Sequence, residues 1–449
     1  MNLTVAFLLF IAAMAAALIA DLTMLIPLGI GFVLFVLVAR KKGFSLRQIL
    51  SFAASSLKDS FIVVRILLLI GCLTGLWRLS GTVSTFLTLG LALIPQQLFL
   101  LSAFLLAAAM SYALGTSFGV TATAGVILMS IARAGGVNPV LAAGAVLSGV
   151  YVGDRGSPAA SSGNLVAVLT HTDMRKNVRL MLRCSLVPFA VCCAAYGLMS
   201  VLSPMQQSSP KLMGALAEEF SSHWTCIIPA ILMILLPFCG ANIRLSMAVS
   251  LVSAALVALF VQHSSLPDCL RVMILGYEAS DPRLSQMLTG GGIVSMAEVC
   301  GILILSCSYG GFFQGAELLQ PVDAALRKLS RRIGRFPTMI LLGFGVSTVF
   351  GNQTVGAIMQ ANLSNDLYGD SEEEKSARML DMENSVIVIA GMVPWCIACS
   401  VPLAMMGADF RSIPVAFYLW LIPAWWAAVG ARRRDKVMGD RQEAIGARG

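Results

Sequence analysis

Apolar runs of about 20 residues, each long enough to cross a bilayer as a helix, succeed one another along most of the chain. One stretch breaks the pattern. From Gly115 to Asn164 the sequence reads GTSFGVTATAG, then an apolar run, then SGVYVGDRGSPAASSGN. Backbone that leaves the helix inside hydrocarbon loses hydrogen bonds that lipid cannot replace. It survives only when buried in protein or lining a wet cavity. A polar, glycine-broken stretch between apolar helices is therefore the expected mark of a transporter's binding site.

Charged residues make up 12% of the chain and hydrophobic ones 57%, where a soluble domain has about 25% charged residues. The chain reads as an all-α polytopic membrane protein, with roughly 10–13 transmembrane helices. Basic residues cluster beside apolar runs, at Arg40-Lys41-Lys42, at Arg327 to Arg335, and at Arg432-Arg433-Arg434 with Lys436. This is the positive-inside pattern, not a nucleic-acid footprint, although the net charge is +8. It places those clusters and the N-terminus in the cytoplasm, and the protein in a cell (inner or plasma) membrane among lipids. The first basic residue is Arg40, so the first apolar run lacks the basic start of a secretory signal. Eleven cysteines are scattered through apolar runs and read as small buried hydrophobes. No cofactor is expected.

Residues 1–42 read as two N-terminal spans, Leu3 to Ala20 and Leu22 to Ala39, joined by a tight turn at Asp21. Residues 43–202 read as a first transporter unit. Its mixed segment Gly43 to Ser60 is expected in a loop or at the interface. Helices follow at Phe61 to Leu79, Gly81 to Ile94 and Gln97 to Leu114. Then come the broken region 115–164 and a clean span, Leu182 to Leu202. Residues 203–280 read as a connection, with linker helices at Ile227 to Cys239 and Leu245 to Val261 and a polar stretch from His263 to Ser285. Residues 281–430 form a second unit. It holds a helix carrying Glu298, a basic loop from Arg327 to Arg335, a broken region at 343–395 and a last apolar run reaching Trp426. A basic cytoplasmic tail covers 431–449.

The two units repeat. LLIGCLTGLW ending at Trp77 resembles LILSCSYGGF ending at Phe312, Gly115-Thr116-Ser117 falls opposite Gly351-Asn352-Gln353, and Ser157-Pro158 falls opposite Val393-Pro394. The offset is about 235 residues each time, which scattered chance matches would not give. Many transporters are built from two repeats that hold the substrate between them near the midplane.

Three motifs suggest enzymes and are weak. Gly115 to Gly119 fits G-x-S-x-G, but a nucleophile elbow needs a preceding strand and a partner His and acid. The chain has three His, and the repeat partner of Ser117 is Gln353. Trp395-Cys396-Ile397-Ala398-Cys399 fits W-C-x-x-C, yet it lies in an apolar run after Pro394 rather than in a βαβ setting. Gly153-Asp154 resembles the Gly-Asp of intramembrane aspartyl proteases, with Tyr151 where a glycine is needed. An intramembrane hydrolase or redox enzyme remains the alternative of another class.

The carboxylates are sharper clues. Asp154, Glu298 and Glu383 lie in or near apolar runs, where a charge is expensive and by default marks an ion pathway or proton relay. The plain alternative is a salt bridge to Arg65, Arg133 or Arg155, or a place at the headgroups. Thr116, Ser117, Thr121, Ser157, Ser161, Asn164, Asn352 and Gln353 add hydroxyl and amide groups. With unwound carbonyls these suit a hard cation, while free N–H groups at half-helix starts suit a carboxylate.

These residues resemble the NhaC-type sodium/proton antiporters of the ion transporter superfamily. ALGTSFGVTATAG followed by AAGAVLSGVYVGDRGSP and Asn164 resembles that family's first signature. Gly351-Asn352-Gln353, then MENS and Val393-Pro394-Trp395, resembles its second. The likeness runs from about Ser60 to Trp426. It implies two inverted repeats, broken helices meeting at the midplane, and exchange of Na⁺ for H⁺, with relatives that carry carboxylates or other solutes. A homodimer is compatible with it. Carried over, Asp154, Ser157, Asn164, Gln353, Glu383 and Trp395 match the pattern, and Asp154 with Glu383 would bind Na⁺.

The chain also departs from that pattern. Ser161 stands for a usual Asp within Ala160 to Asn164, Asn352 stands for an Asp before Gln353, and Asn384 stands for the Asp after Glu383. Cys396 replaces an Asn after Trp395. Each lost carboxylate removes a charge that would offset cation dehydration. The expectation is secondary active Na⁺/H⁺ antiport by alternating access, with Thr116, Ser117, Ser161, Asn352 and Asn384 completing the shell and Glu298 as a proton relay. The alternative is a Na⁺- or H⁺-coupled carrier of a small organic solute, a carboxylate or an amino acid.

Overall fold

A computed structural model describes residues 3–429, except 21, 207–209, 222, 282–283, 286–287 and 316–321. The turn at Asp21 and the tail with Arg432 to Lys436 lie outside the described residues. Secondary structure among the described residues is helical throughout, apart from one isolated bridge between Tyr277 and Gly290.

The chain begins with the paired helices α1 (Leu3–Ile19) and α2 (Leu25–Lys41). Helix α3 (Leu46–Leu79) follows, and its length corrects the sequence reading. The mixed segment after Gly43 is neither loop nor separate interfacial element. Ser45 and Gln48 form a reciprocal capping box that starts a helix there, and the helix runs on without a break. Arg78 near its end is not free to snorkel, being only 7% exposed. Next come α4 (Thr82–Leu93), α5 (Phe99–Leu114), α6 (Ser117–Ala134), α7 (Pro139–Gly156), α8 (Ser161–Thr170) and α9 (Met174–Leu202).

The connection holds α10 (Pro210–Glu219), α11 (Ile228–Phe238), α12 (Ile243–Phe260) and α13 (Leu266–Leu275). The last of these lies inside the stretch read as merely polar. A capping box of Ser265 with Asp268 starts it. The second unit holds α14 (Ala297–Gly315), α15 (Val322–Ile333), α16 (Arg335–Phe350), α17 (Gln353–Ser364), α18 (Glu372–Met392), α19 (Ile397–Met405) and α20 (Phe417–Val429). The basic segment expected as a loop is mostly helix α15, because its leucines recur at helical spacing opposite its cations.

Among the described residues, Gln96–Leu114, Ser117–Ala134 and Met174–Leu202 are each long and apolar enough to cross a membrane. Two bent pairs qualify if each counts as one span: Val63–Leu79 with Thr82–Gly90, bent by 70°, and Glu372–Met392 with Ile397–Met405, bent by 51°. Shorter apolar helices fill in around them.

Two helical hairpins organise the bundle. Helices α5 and α6 turn at Gly115-Thr116, and their open ends are tied through the chain after α9. Met205 N–H donates to Gln96 O at 2.9 Å, and Gln206 N–H donates to Gly135 O at 2.7 Å. Helices α16 and α17 turn at Gly351-Asn352. Their open end is clasped by ion pairs of Arg327 with Asp366 and of Arg335 with Glu374. The two open ends lie at opposite ends of the bundle. Helix α20 spans the distance: Phe417 at its start meets Tyr196 near the far end of α9, and Trp426 at its close meets Asp381 and Phe336. The hairpins therefore enter from opposite ends, and their tips meet in the middle.

Candidate functional site

Each hairpin tip is built the same way. Gly115 (φ +67) and Gly351 (φ +58) close the first helix in the left-handed region, which costs a residue with a Cβ about 1–2 kcal/mol. Packing excludes a side chain as well: a Cβ would lie 2.4 Å from the carbonyl carbon of Ala159 at Gly115, and 2.5 Å from the Cβ of Ser306 at Gly351. The next residue is extended and caps the returning helix. Thr116 Oγ1 accepts from Gly119 N–H at 3.4 Å. Asn352 Oδ1 accepts from Thr354 N–H at 2.9 Å and Val355 N–H at 3.3 Å.

Against each tip lies a helix that breaks. Helices α7 and α8 are interrupted at Ser157 to Ala160, and α18 and α19 at Val393 to Cys396. The first tip packs on Ala159. The second bonds its break directly, with Ile397 N–H donating to Gly351 O at 2.8 Å. Trp395 braces this junction: its indole N–H donates to Thr348 O at 2.9 Å, and its carbonyl accepts from Ser306 Oγ at 3.2 Å. The N-terminal pair supports the same place, since Phe10 stands edge-on to Trp395 and to Tyr309.

Asp154, near the end of α7, is where the halves meet. It is 6% exposed. Its Oδ1 accepts from Ser117 N–H at the first tip, at 3.4 Å, and its Oδ2 accepts from Gln353 Nε2 at the second, at 3.3 Å. Gln353 also donates to Ile387 O at 2.9 Å. That carbonyl belongs to a π-turn, Glu383–Ile387, in α18, and such turns gather at functional sites.

Glu383 opens the same π-turn and is fully enclosed. Neither carboxylate oxygen has a hydrogen-bond partner among the described residues, although the charge of Arg155 acts on it. Gly163 of α8 faces it: a Cβ there would lie 3.7 Å from Glu383 Oε1. Asn384 points the other way. Its Oδ1 accepts from Arg155 Nε at 3.1 Å and again from Nη2. Arg155 is also fully buried, and it reaches Cys184 Sγ at 2.9 Å and Tyr418 Oη at 3.4 Å.

The structure gathers Thr116, Ser117, Asp154, Asn352 and Gln353 around the crossing, with Glu383 and Asn384 on the adjoining π-turn. Ser157 is buried and accepts from Ala159 N–H at 3.1 Å, shaping the first break. Asn164 donates to Ala160 O at 2.7 Å, and both it and Ser161 are exposed on α8. Glu298 stands apart. It is exposed at the start of α14, accepts from Thr23 Oγ1, and lines a cavity of about 380 Å³ that reaches Pro394 on the second break.

None of the expected arginines bonds to Asp154. Arg65 is exposed, Arg133 donates to the Met406 and Gly407 carbonyls at 2.8 Å, and Arg155 is taken up by Asn384. Adjacency in sequence offers Arg155 only as a neutraliser of Asp154. Successive helical side chains point about 100° apart, which was the signal that it would serve another partner. Cys396 and Cys399 are fully buried at the start of α19. Among the described residues no group of three His, Cys, Asp or Glu side chains could hold a metal ion, so a cation here would rely on carbonyl, hydroxyl and amide oxygens beside the carboxylates.

The family model described as the Na⁺/H⁺ antiporter family matches residues 149–431. The chain is 27% identical to a malate-2H⁺/Na⁺-lactate antiporter of Bacillus subtilis, over 84% of each chain. It is 24% identical to the Na⁺/H⁺ antiporter NhaC of Alkalihalophilus pseudofirmus, over 82% of this chain and 81% of that one. It is 22% identical to the arginine/ornithine antiporter ArcD of Halobacterium salinarum, over 79% of this chain and 75% of that one.

Proposed function

The chain belongs to the Na⁺/H⁺ antiporter family, and on that premise we propose that it is a secondary active transporter exchanging Na⁺ for H⁺ at Asp154 and Glu383. The observation that carries this reading is the pair of hydrogen bonds that bring both hairpin tips to one carboxylate. Each oxygen of Asp154 receives one donor and keeps lone pairs free for a cation. Glu383 offers two oxygens without a hydrogen-bond partner among the described residues, and the buried Arg155 is the fixed charge that faces it. Burying an ion without a partner costs on the order of several kcal/mol. A Na⁺ ion or a proton therefore satisfies the pair by turns, which is the exchange.

The hairpins' opposite entry supports two inverted repeats. The equivalent points recur 236 residues apart, Gly115 with Gly351 and Ser161 with Ile397. Motion of one unit against the other would open the crossing to each side in turn. Gln353, shared between Asp154 and Ile387, would couple that motion to occupancy. With the basic clusters inside, the second hairpin enters from the cytoplasm of a cell membrane, and the first from outside.

A second reading, a Na⁺- or H⁺-coupled carrier of a small organic solute, has one observation in its favour. Arg155 is a buried cation bonded on α18 to the neutral Asn384, so its charge faces an amide where the family pattern has an acid. Proteoliposomes with an internal pH dye decide between the readings when Na⁺, Li⁺, K⁺ and small carboxylates are added in turn. Dissipation of the gradient by Na⁺ alone is the expected result. Silence with Na⁺ and a response to a carboxylate would replace the first reading by the second.

A further inference from the structure

Helix α15 separates its residues sharply. Leu326, Leu329 and Ile333 face one way, while Arg327, Lys328, Arg331 and Arg332 face the other and are exposed. A helix so divided suits the plane of a membrane interface, with its cations toward the headgroups. Beneath it lies a cavity of about 300 Å³ with a wholly apolar wall. Leu326 and Leu329 roof it, and Leu341, Gly345, Val349 and Phe350 of α16 line its length. Leu341 at its rim is 54% exposed, so the cavity opens on the side of the bundle. At Gly345 an added Cβ would meet nothing within 4 Å, so the space is open at its centre. Its inner end, Phe350, adjoins Gly351 at the second hairpin tip.

Among the described residues, most of the cations above the cavity lack an acidic partner. Asp366 is held by Arg327, Glu374 by Arg335 and Glu372 by Lys375. Lys328, Arg331 and Arg332 have no ion-pair partner among the described residues. Close-packed interiors leave few voids larger than a water molecule, and an apolar one of this size takes an apolar guest.

We propose that this groove is a binding site for one anionic phospholipid, with an acyl chain in the cavity between α15 and α16 and the phosphate on Lys328, Arg331 and Arg332. Charge complementarity selects an acidic headgroup over a zwitterionic one, and the apolar wall selects a chain-bearing ligand over free phosphate. The bound chain braces α16 from Leu341 to Phe350, and so steadies the tip that presents Asn352 and Gln353. The site stands or falls independently of which ion is exchanged.

The test is thermal unfolding of the purified full-length protein in detergent, with phosphatidylglycerol, phosphatidylcholine of the same chains, or inorganic phosphate, and native mass spectrometry for retained lipid. Phosphatidylglycerol is expected to raise the midpoint by about 5 °C or more at saturation, and to remain bound one per chain. Phosphatidylcholine and phosphate should do neither. Arg331→Gln with Arg332→Gln should abolish the preference for phosphatidylglycerol. Gly345→Leu, which fills the cavity from within, should abolish lipid retention while the lipid-free protein unfolds no earlier than wild type. Equal responses to the two lipids, a full response to phosphate alone, or retained lipid in a folded Gly345→Leu protein would each overturn the proposal. Should Gly345→Leu fail to fold, the arginine pair and the lipid comparison decide it alone.

Discussion

Asp154 and Glu383 are both carboxylates enclosed at the crossing, and their surroundings differ. Asp154 receives a backbone N–H from one hairpin and a side-chain amide from the other. Glu383 receives no hydrogen bond among the described residues and sits on a π-turn beside Gly163. The first is positioned by the fold, so it can report the arrangement of the hairpins. The second has the charge of Arg155 nearby but no hydrogen bond, which leaves its oxygens open to a cation or a proton. Under the proposed function, one carboxylate would sense conformation and the other occupancy, and transport would need both.

The sharpest way to break that division is Glu383→Gln. Coupled flux is expected to fall by about 100-fold or more, as for loss of an essential proton-transfer group, while thermal stability changes little, because a carboxylate without a hydrogen bond is gone and Arg155 keeps its bond to Asn384. Vesicle flux and melting read on the same preparation check this. Equal loss of both would mean that Glu383 is structural.

The two tips provide the next test. Gly115→Ala and Gly351→Ala should each cost about 1–3 kcal/mol through left-handed backbone strain, with the first the worse. There the added carbon meets the Ala159 carbonyl carbon at 2.4 Å, its oxygen at 2.5 Å and its Cβ at 2.7 Å, whereas at Gly351 only the Ser306 Cβ lies that close. Unfolding midpoints of the two variants should rank in that order.

Gln353→Ala removes the amide that joins Asp154 to Ile387. Apparent Na⁺ affinity should weaken by about tenfold, the worth of a hydrogen bond to a charged group, with a smaller change at saturating Na⁺. Concentration dependence of flux separates the two. The smallest effect is expected from Asn384→Asp. It would give Arg155 an ionic partner and raise stability by about 1 kcal/mol, since the guanidinium is already desolvated. A gain in carboxylate transport from this change would count against the second reading of the site.

Much of this architecture was legible in the sequence because its constraints are local. Gly115 and Gly351 announce left-handed turns, and Thr116 and Asn352 are cap residues. The matching offset between them is the sequence mark expected of a repeat. Asp154, Gln353 and Glu383 were identifiable because polar groups in apolar runs are costly. The facing of neighbouring side chains was not legible. Asp154 and Arg155 are adjacent in sequence yet serve different partners, and only the packing of α7 against α9, α18 and α20 decides which. The capping boxes at Ser45 and Ser265 were readable in principle, but mixed composition in those segments masked the helices they start. Glu298 looked equivalent to the other acids, and its distance from the crossing follows from where α14 begins.

The most direct measurement is Asp154→Asn in proteoliposomes, with Na⁺-driven pH change and Na⁺-dependent thermal stabilisation read side by side. If both hairpins converge on this carboxylate to hold the cation, the variant folds, melts near the wild-type temperature without Na⁺, and loses both the Na⁺ stabilisation and the pH-coupled flux. A folded variant that keeps pH-dependent Na⁺ flux would contradict the assignment of the crossing as the transport site.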